Sequence, residues 1–491
     1  MKTHVTSHTG SLGQATLDGG LNTMKKLQMT TTIPEPRSVD FARPLGALER
    51  FFWLTDQNRP VHFAMAAHVQ GRTTLPGWRA ALDAAQGRHP LLSVAIEKND
   101  STAPHFRTVT GARIPMTIAR APTRSSWLSE MARELATPFH AQQAPLVRSV
   151  LMHGEDKSVL ILSAHHAIAD GLSVAYIIRD ILQALGGERL EALAPMPAEE
   201  PLVYMSQQEP ADAENLGAPE PPQQGRPVTF RMLDSWPTVE AVRLTPELTH
   251  MLLERARNEG TTVHGALCAA IVLAGREASR DWNSNQVRVL SPFSLRKQLG
   301  IGEDCGAFVW ATGVTVPLTP VAEFWEMARF AKSSLAAKQP LGRVTMEMRG
   351  LEQAVESGID VAGAAQLLAQ GFPCELLLTN LGNLPIQFET GALKLEALWG
   401  PSVLMGFEGE QTVGVTTTNG SLCLLHTSFA PIHSLLQRTE RILRSACQNS
   451  AYAAATHGFQ LYSRGDSRAR MKQLAGCCES SFVKRWIGEG I

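Results

Sequence analysis

Between residues 159 and 187 the chain runs through an apolar stretch, VLILSAHH, a short segment ending in Asp-Gly, and an amphipathic stretch, SVAYIIRDILQALGG. No other part of the sequence limits the fold so tightly. A near-continuous apolar run is expected of a strand covered on both faces. Val174, Ile177, Ile178, Ile181, Leu182 and Leu185 fall on one helical stripe, with Ser173 able to cap the start and Gly186-Gly187 the end. The unit is therefore strand, tight loop, helix.

The same mixture recurs along the chain. Trp78, Leu82 and Ala85 share a helical face in LPGWRAALDAAQG (75–87), and LLSVAI (91–96) reads as a short strand. VEAVRL (239–244), QVRVLS (286–291) and ELLLT (375–379) also read as strands. Thr245-Pro246 and Thr319-Pro320 each place a cap and a proline at the start of a helix, and VHGALCAAIVLA (263–274) is a mostly apolar helix. Asn419-Gly420 is the preferred two-residue turn between matched strands and predicts a hairpin over 412–428. The class is α/β or α+β.

A chain of 491 residues exceeds one ordinary core, so two domains or large subdomains are expected. The division falls at 188–227, where eight prolines replace large apolar residues and predict an extended linker. The expected organisation is a leader (1–40), an N-terminal subdomain (41–187), the linker, a C-terminal subdomain (228–451) and a polar tail (452–491). Forty-five Lys and Arg balance forty-six Asp and Glu, which gives no global grip on nucleic acid or anionic membrane. Seven cysteines without a C-x-x-C pair indicate neither a zinc ribbon nor a disulfide framework, and reduced thiols in a cytoplasm fit best. The N-terminus lacks the apolar core of a signal peptide, and no stretch is long enough to span a bilayer. A cytoplasmic, soluble and monomeric protein is expected.

On a strand, successive side chains point to opposite faces, so His165 and His166 would not converge on one ion. That counts against a metal site, which needs three convergent ligands. Two packed core histidines would be the plain reading of an isolated pair. Here the pair stands at a strand end, three residues before Asp170-Gly171 and a capped helix. Active-site residues gather at the ends of strands in open α/β sheets. An imidazole is the default base for a hydroxyl or amine proton. Gly171 allows positive φ or a close backbone approach. The aromatic run Phe51, Phe52 and Trp53 reads as core, Arg296 on its own as a surface residue, and Asn380-Leu-Gly as an ordinary turn.

H-H-x-x-x-D-G, carried by His165, His166, Asp170 and Gly171, resembles the signature of the chloramphenicol-acetyltransferase-like superfamily. That group includes peptide-synthetase condensation domains, plant BAHD acyltransferases, polyketide-associated acyltransferases and alcohol acetyltransferases. R-P-L-G-A-L-E-R (43–50) resembles the opening motif of the alcohol acetyltransferase branch. R-H-P-L-L (88–92), P-F-H with A-P-L-V-R (138–148), S-P-F-S-L-R-K-Q-L (291–299) and T-N-L-G (379–382) resemble later segments in order. The plant-type D-F-G-W-G motif is absent, and N-L-G-N-L-P stands where the wax-ester-synthase branch carries another motif.

The resemblance implies two similar α/β subdomains enclosing a central tunnel, with His166 in the middle as general base. Asp170 would point away from the tunnel and pair with Arg296, His165 would hold the loop, Gly171 would keep the backbone close, and Asn380 would face the tunnel. The implied reaction moves an acyl group from acyl-CoA or an acyl-carrier thioester to a hydroxyl or amine. It requires no metal and no resident cofactor, and a carrier protein would act in trans. A non-catalytic condensation-like module that binds a carrier protein or a lipid is the alternative, and a hydrolase with water as acceptor a minor one. No G-x-S-x-G elbow appears, which suits a reaction that needs no enzyme nucleophile.

Overall fold

The computed structural model describes residues 42–448, apart from 100–101, 124, 207–226, 233–234, 319–322, 385 and 387–388. The expected leader and tail, and the Thr319-Pro320 cap, lie outside the described residues.

Among the described residues, two six-stranded sheets carry the structure, beside a small sheet of three strands. The first sheet runs in the order Glu389–Thr390, Leu393–Val403, Phe63–Gln70, Lys157–Ala164, Val147–His153, Met116–Ala119. All its pairings are antiparallel except the last, which is parallel. The second runs Val309–Val316, Val287–Ser294, Leu376–Asn383, Gln411–Thr418, Ser421–Ser428, Thr238–Arg243. Strand Leu376–Asn383 is parallel to both of its neighbours and the rest are antiparallel. The fold is thus mixed α/β.

Local signals place most elements. Thr245 caps helix Pro246–Asn258 through Leu248 N–H, and Thr262 caps Val263–Ala278 through Gly265 N–H. The hairpin turns at Asn419 and Gly420, with φ of 49° and 73°, the left-handed pair that a type I′ turn demands. Segment 91–96 differs from a simple strand. Pro90–Ser93 forms a 3-10 turn, and the strand begins at Val94.

Two features depart from the sequence pattern. The proline-rich stretch is not extended throughout, because Glu199–Ser206 is a helix with Glu199, Glu200 and Val203 buried. It is pinned by Leu48 N–H to Glu200 Oε1 (2.8 Å), and the preceding coil by Arg43 Nε to Met196 O (3.1 Å). Strand Leu393–Val403, from the second half of the chain, lies in the first sheet beside Phe63–Gln70. From there it also presses on the second sheet: Leu398 N–H donates to Thr418 Oγ1 (3.1 Å) and Asn419 Nδ2 to Leu395 O (2.8 Å). Gly414 permits this approach, since a Cβ there would meet Pro401 O at 2.0 Å. Among the described residues, no helix is long and apolar enough to cross a membrane.

Candidate active site

Strand Lys157–Ala164 is buried along nearly its whole length and ends one residue before the histidine pair. His165 and His166 are therefore in a turn, not on the strand, closed by Ile168 N–H to His165 O (3.1 Å). The alternation argument for their divergence loses its premise, yet the two rings do diverge.

His165 is 1% exposed. Its Nδ1 accepts from Ala167 N–H at 3.1 Å, so the ring proton sits on Nε2, which faces Asp56 Oδ2 at 3.5 Å. The Asp56 carboxylate also accepts from Val61 N–H (2.9 Å) and His62 N–H (3.2 Å). Burial works to raise the Asp56 pKa, but His62, His165 and the Val61 N–H outweigh it and hold the group below its ordinary value. Burial lowers the His165 pKa, against the pull of Asp56. His165 braces the loop against the end of helix Ala47–Asn58.

His166 turns the other way and is half-buried. Phe52 stacks on its ring, with centroids 4.2 Å apart and planes 12° apart, and Phe63 lies at 4.7 Å. Nδ1 lies buried within the loop. Burial pushes the pKa from 6.5 down to about 4, against the pull of Asp170 and the local backbone. The imidazole is neutral at pH 7 and able to accept a proton.

Asp170 caps helix Gly171–Leu185, so the helix starts two residues before Ser173, which stands at its third position instead of its cap. The carboxylate accepts from Ser173 N–H (2.7 Å), Phe308 N–H (3.2 Å) and Arg296 Nη2 (3.1 Å). Arg296 is 4% exposed and not a surface residue. Its Nη1 donates to Asp304 O (2.8 Å) and Gly302 O (3.1 Å), and its guanidinium stacks on Phe308. Asp170 N–H donates to Gly306 O at 3.0 Å. Residues 302–308 therefore grip the loop that the first half supplies, and a buried carboxylate at a helix N-terminus is doubly stabilised.

Gly171 does not need positive φ. Its role is close approach, because a Cβ would meet Pro401 at 2.7 Å and Leu381 at 3.0 Å. Asn380 lies in strand Leu376–Asn383, and its Oδ1 accepts locally from Gly382 N–H (2.9 Å). Leu381, its neighbour, is the residue that packs on Gly171.

The sequence reading missed Phe52, Asp56 and His62. Phe51 and Trp53 are core, at 3% and 5% exposure, but Phe52 is half-buried. A helix turns about 100° per residue, so three consecutive aromatics cannot all face one core. No local signal couples Asp56 to His165. A cavity of about 320 Å3 opens at the same end of the first sheet, walled by His62, Leu135 and Leu404 among others; His166 is not among its walls.

The two sheets thus bring a half-buried histidine into a loop that a buried Asp–Arg pair clamps. The condensation domain family matches residues 50–206, and the phthiocerol/phthiodiolone dimycocerosyl transferase C-terminus family matches 234–396. The two matches, one over each half of the chain, agree with the resemblance to condensation domains and other chloramphenicol-acetyltransferase-like proteins. It is 27% identical over 251 residues to phosphinothricin tripeptide synthetase of Streptomyces viridochromogenes, spanning 48% of this chain and 21% of that one. With a linear gramicidin synthase of Brevibacillus parabrevis it shares 27% over 180 residues, 33% of this chain and 2% of the relative. The matches therefore cover only a small part of these synthetases. Among solved structures it resembles polyketide synthase associated protein 5 from Mycobacterium tuberculosis (TM-score 0.57, 17% identity, 83% of this chain and 98% of that one). It also resembles trichothecene 15-O-acetyltransferase from Fusarium sporotrichioides (TM-score 0.57, 13% identity, 83% and 94%). At such identities these two likenesses establish the fold.

Proposed function

We propose that this protein moves an acyl group from a thioester, acyl-CoA or an acyl-carrier protein, to a hydroxyl or amine acceptor, with His166 as general base. The observation that carries this reading is the state of one ring. His166 is held neutral at pH 7 by burial, stacked on Phe52 and only half-buried at the end of the first sheet. Nε2 takes the acceptor proton as the oxygen or nitrogen attacks the thioester carbonyl. The tetrahedral intermediate collapses, the C–S bond breaks, and the proton passes from His166 to the departing sulfur. The products are an ester or amide and a free thiol. The thioester is already activated, so neither a metal nor a resident cofactor is required. In this reading the substrates meet at His166 through a tunnel between the two sheets.

One observation favours the non-catalytic alternative, a module that binds a carrier protein or a lipid. The cavity of about 320 Å3 stops short of His166. Incubation with acyl-CoAs of graded length and a pool of alcohols and amines, read by mass spectrometry, separates the two. Acylated product with stoichiometric free thiol supports the transferase. Thiol without acylated product indicates hydrolysis, and neither indicates the binding module.

A further inference from the structure

The cavity at the end of the first sheet has an unusual wall. Leu135, Leu404, Phe429 and the exposed Trp236 give it apolar wall beside polar groups that include His62 and Ser235. Arg59 is the cationic side chain in its lining. This arginine forms no ion pair among the described residues, and its Nε is buried without a hydrogen-bond acceptor. The guanidinium lies over the Phe230 ring, 5.2 Å from its centroid. Gly406, at φ 83°, makes room for it, since a Cβ there would meet Arg59 Cδ at 2.6 Å.

The surrounding charges do not neutralise it. Asp56 is taken up by the Val61 and His62 amides and faces His165, and Glu134 pairs with Arg148 at 2.7 Å. Arg133 pairs with Glu130 at 2.6 Å and lies over Trp236. Arg231 stacks on Phe429 at 4.2 Å and donates to Ser235 Oγ. Burial and the nearby Arg231 both work against the charge on Arg59. A guanidinium held beside a cavity at that cost, with donors unspent, matches an incoming carboxylate or phosphate. The volume suits a small ligand, and the aromatic faces suit a flat apolar body.

We propose that this cavity binds the anionic group, a carboxylate or phosphate ester, of a small ligand with a flat apolar body, and that Arg59 is its charge partner. The site stands on the cavity and does not depend on the acyl-transfer reading. Titration calorimetry of the full chain with phenylacetate, phenyl phosphate and uncharged phenylacetamide tests it without any turnover. At least one anion should bind in the millimolar range or tighter, and the amide about tenfold more weakly or worse, as loss of a charge-assisted contact implies. Arg59→Gln should weaken the anion about tenfold and leave the amide unchanged. A preference between the two anions identifies the group. Trp236→Ala, on an exposed segment, should weaken both anions and provides the readout should Arg59→Gln fail to fold. The proposal is overturned if neither anion binds, if the amide binds equally well, or if a folded Arg59→Gln or Trp236→Ala binds as the parent does.

Discussion

At His166 two demands meet: enough enclosure to hold the ring, and enough access to admit a nucleophile. Burial answers the first by lowering its pKa to about 4, which keeps the base form at neutral pH. The sign is simple. Protonation removes the base, so kcat/KM should stay level from pH 7 down to about pH 5 and fall below, with an apparent pKa near 4. Rates taken within seconds of a pH jump check this, and a limb near 6.5 would place the ring in open solvent. Phe52 supplies the other constraint. Phe52→Ala removes the face that fixes the imidazole plane, and kcat should fall by roughly ten- to a hundredfold while the melting temperature changes little. The histidine pair and Asp170-Gly171 were readable from their spacing, whereas Phe52 was hidden among neighbours that do belong to the core.

At the level of elements, the site is a strand end, a loop and a helix start held together by Asp170. Asp170→Ala deletes the helix cap and leaves Arg296 buried without its carboxylate. The expected loss is about 3–5 kcal/mol in chemical denaturation, with activity lost alongside. A loss below about 1 kcal/mol would mean that the pair contributes nothing beyond a surface ion pair. The helices and the Asn419-Gly420 hairpin were legible because their signals are local: a cap, a proline, a left-handed turn. The partner of Asp170 came from family resemblance alone, since nothing in S-P-F-S-L-R-K-Q-L marks Arg296 as buried. The helix Glu199–Ser206 was obscured by the prolines around it. Its burial depends on Leu48 and on the chain near Arg43, far away in sequence.

Across the whole molecule, strand Leu393–Val403 joins what composition divides. It pairs with Phe63–Gln70 while hydrogen-bonding to the second sheet, a long-range choice that its own residues do not announce. Burial also holds His68, His264 and His426 at about 4, as it does His166. Each takes up a proton in the unfolded chain below 6.5 but resists it in the folded one. Their contribution is therefore intact above pH 6.5 and drains as pH falls through 4. The melting temperature should be nearly constant above pH 6.5 and drop steeply between about 6 and 4; a flat profile across that window would show these rings to be solvated. The most direct test of the chemistry is single-turnover acyl transfer by His166→Ala, with an acyl-CoA and acceptor that the parent protein uses. The rate should fall about 10²–10⁴-fold with the melting temperature preserved. A folded variant that transfers at the parent's rate would contradict His166 as the base.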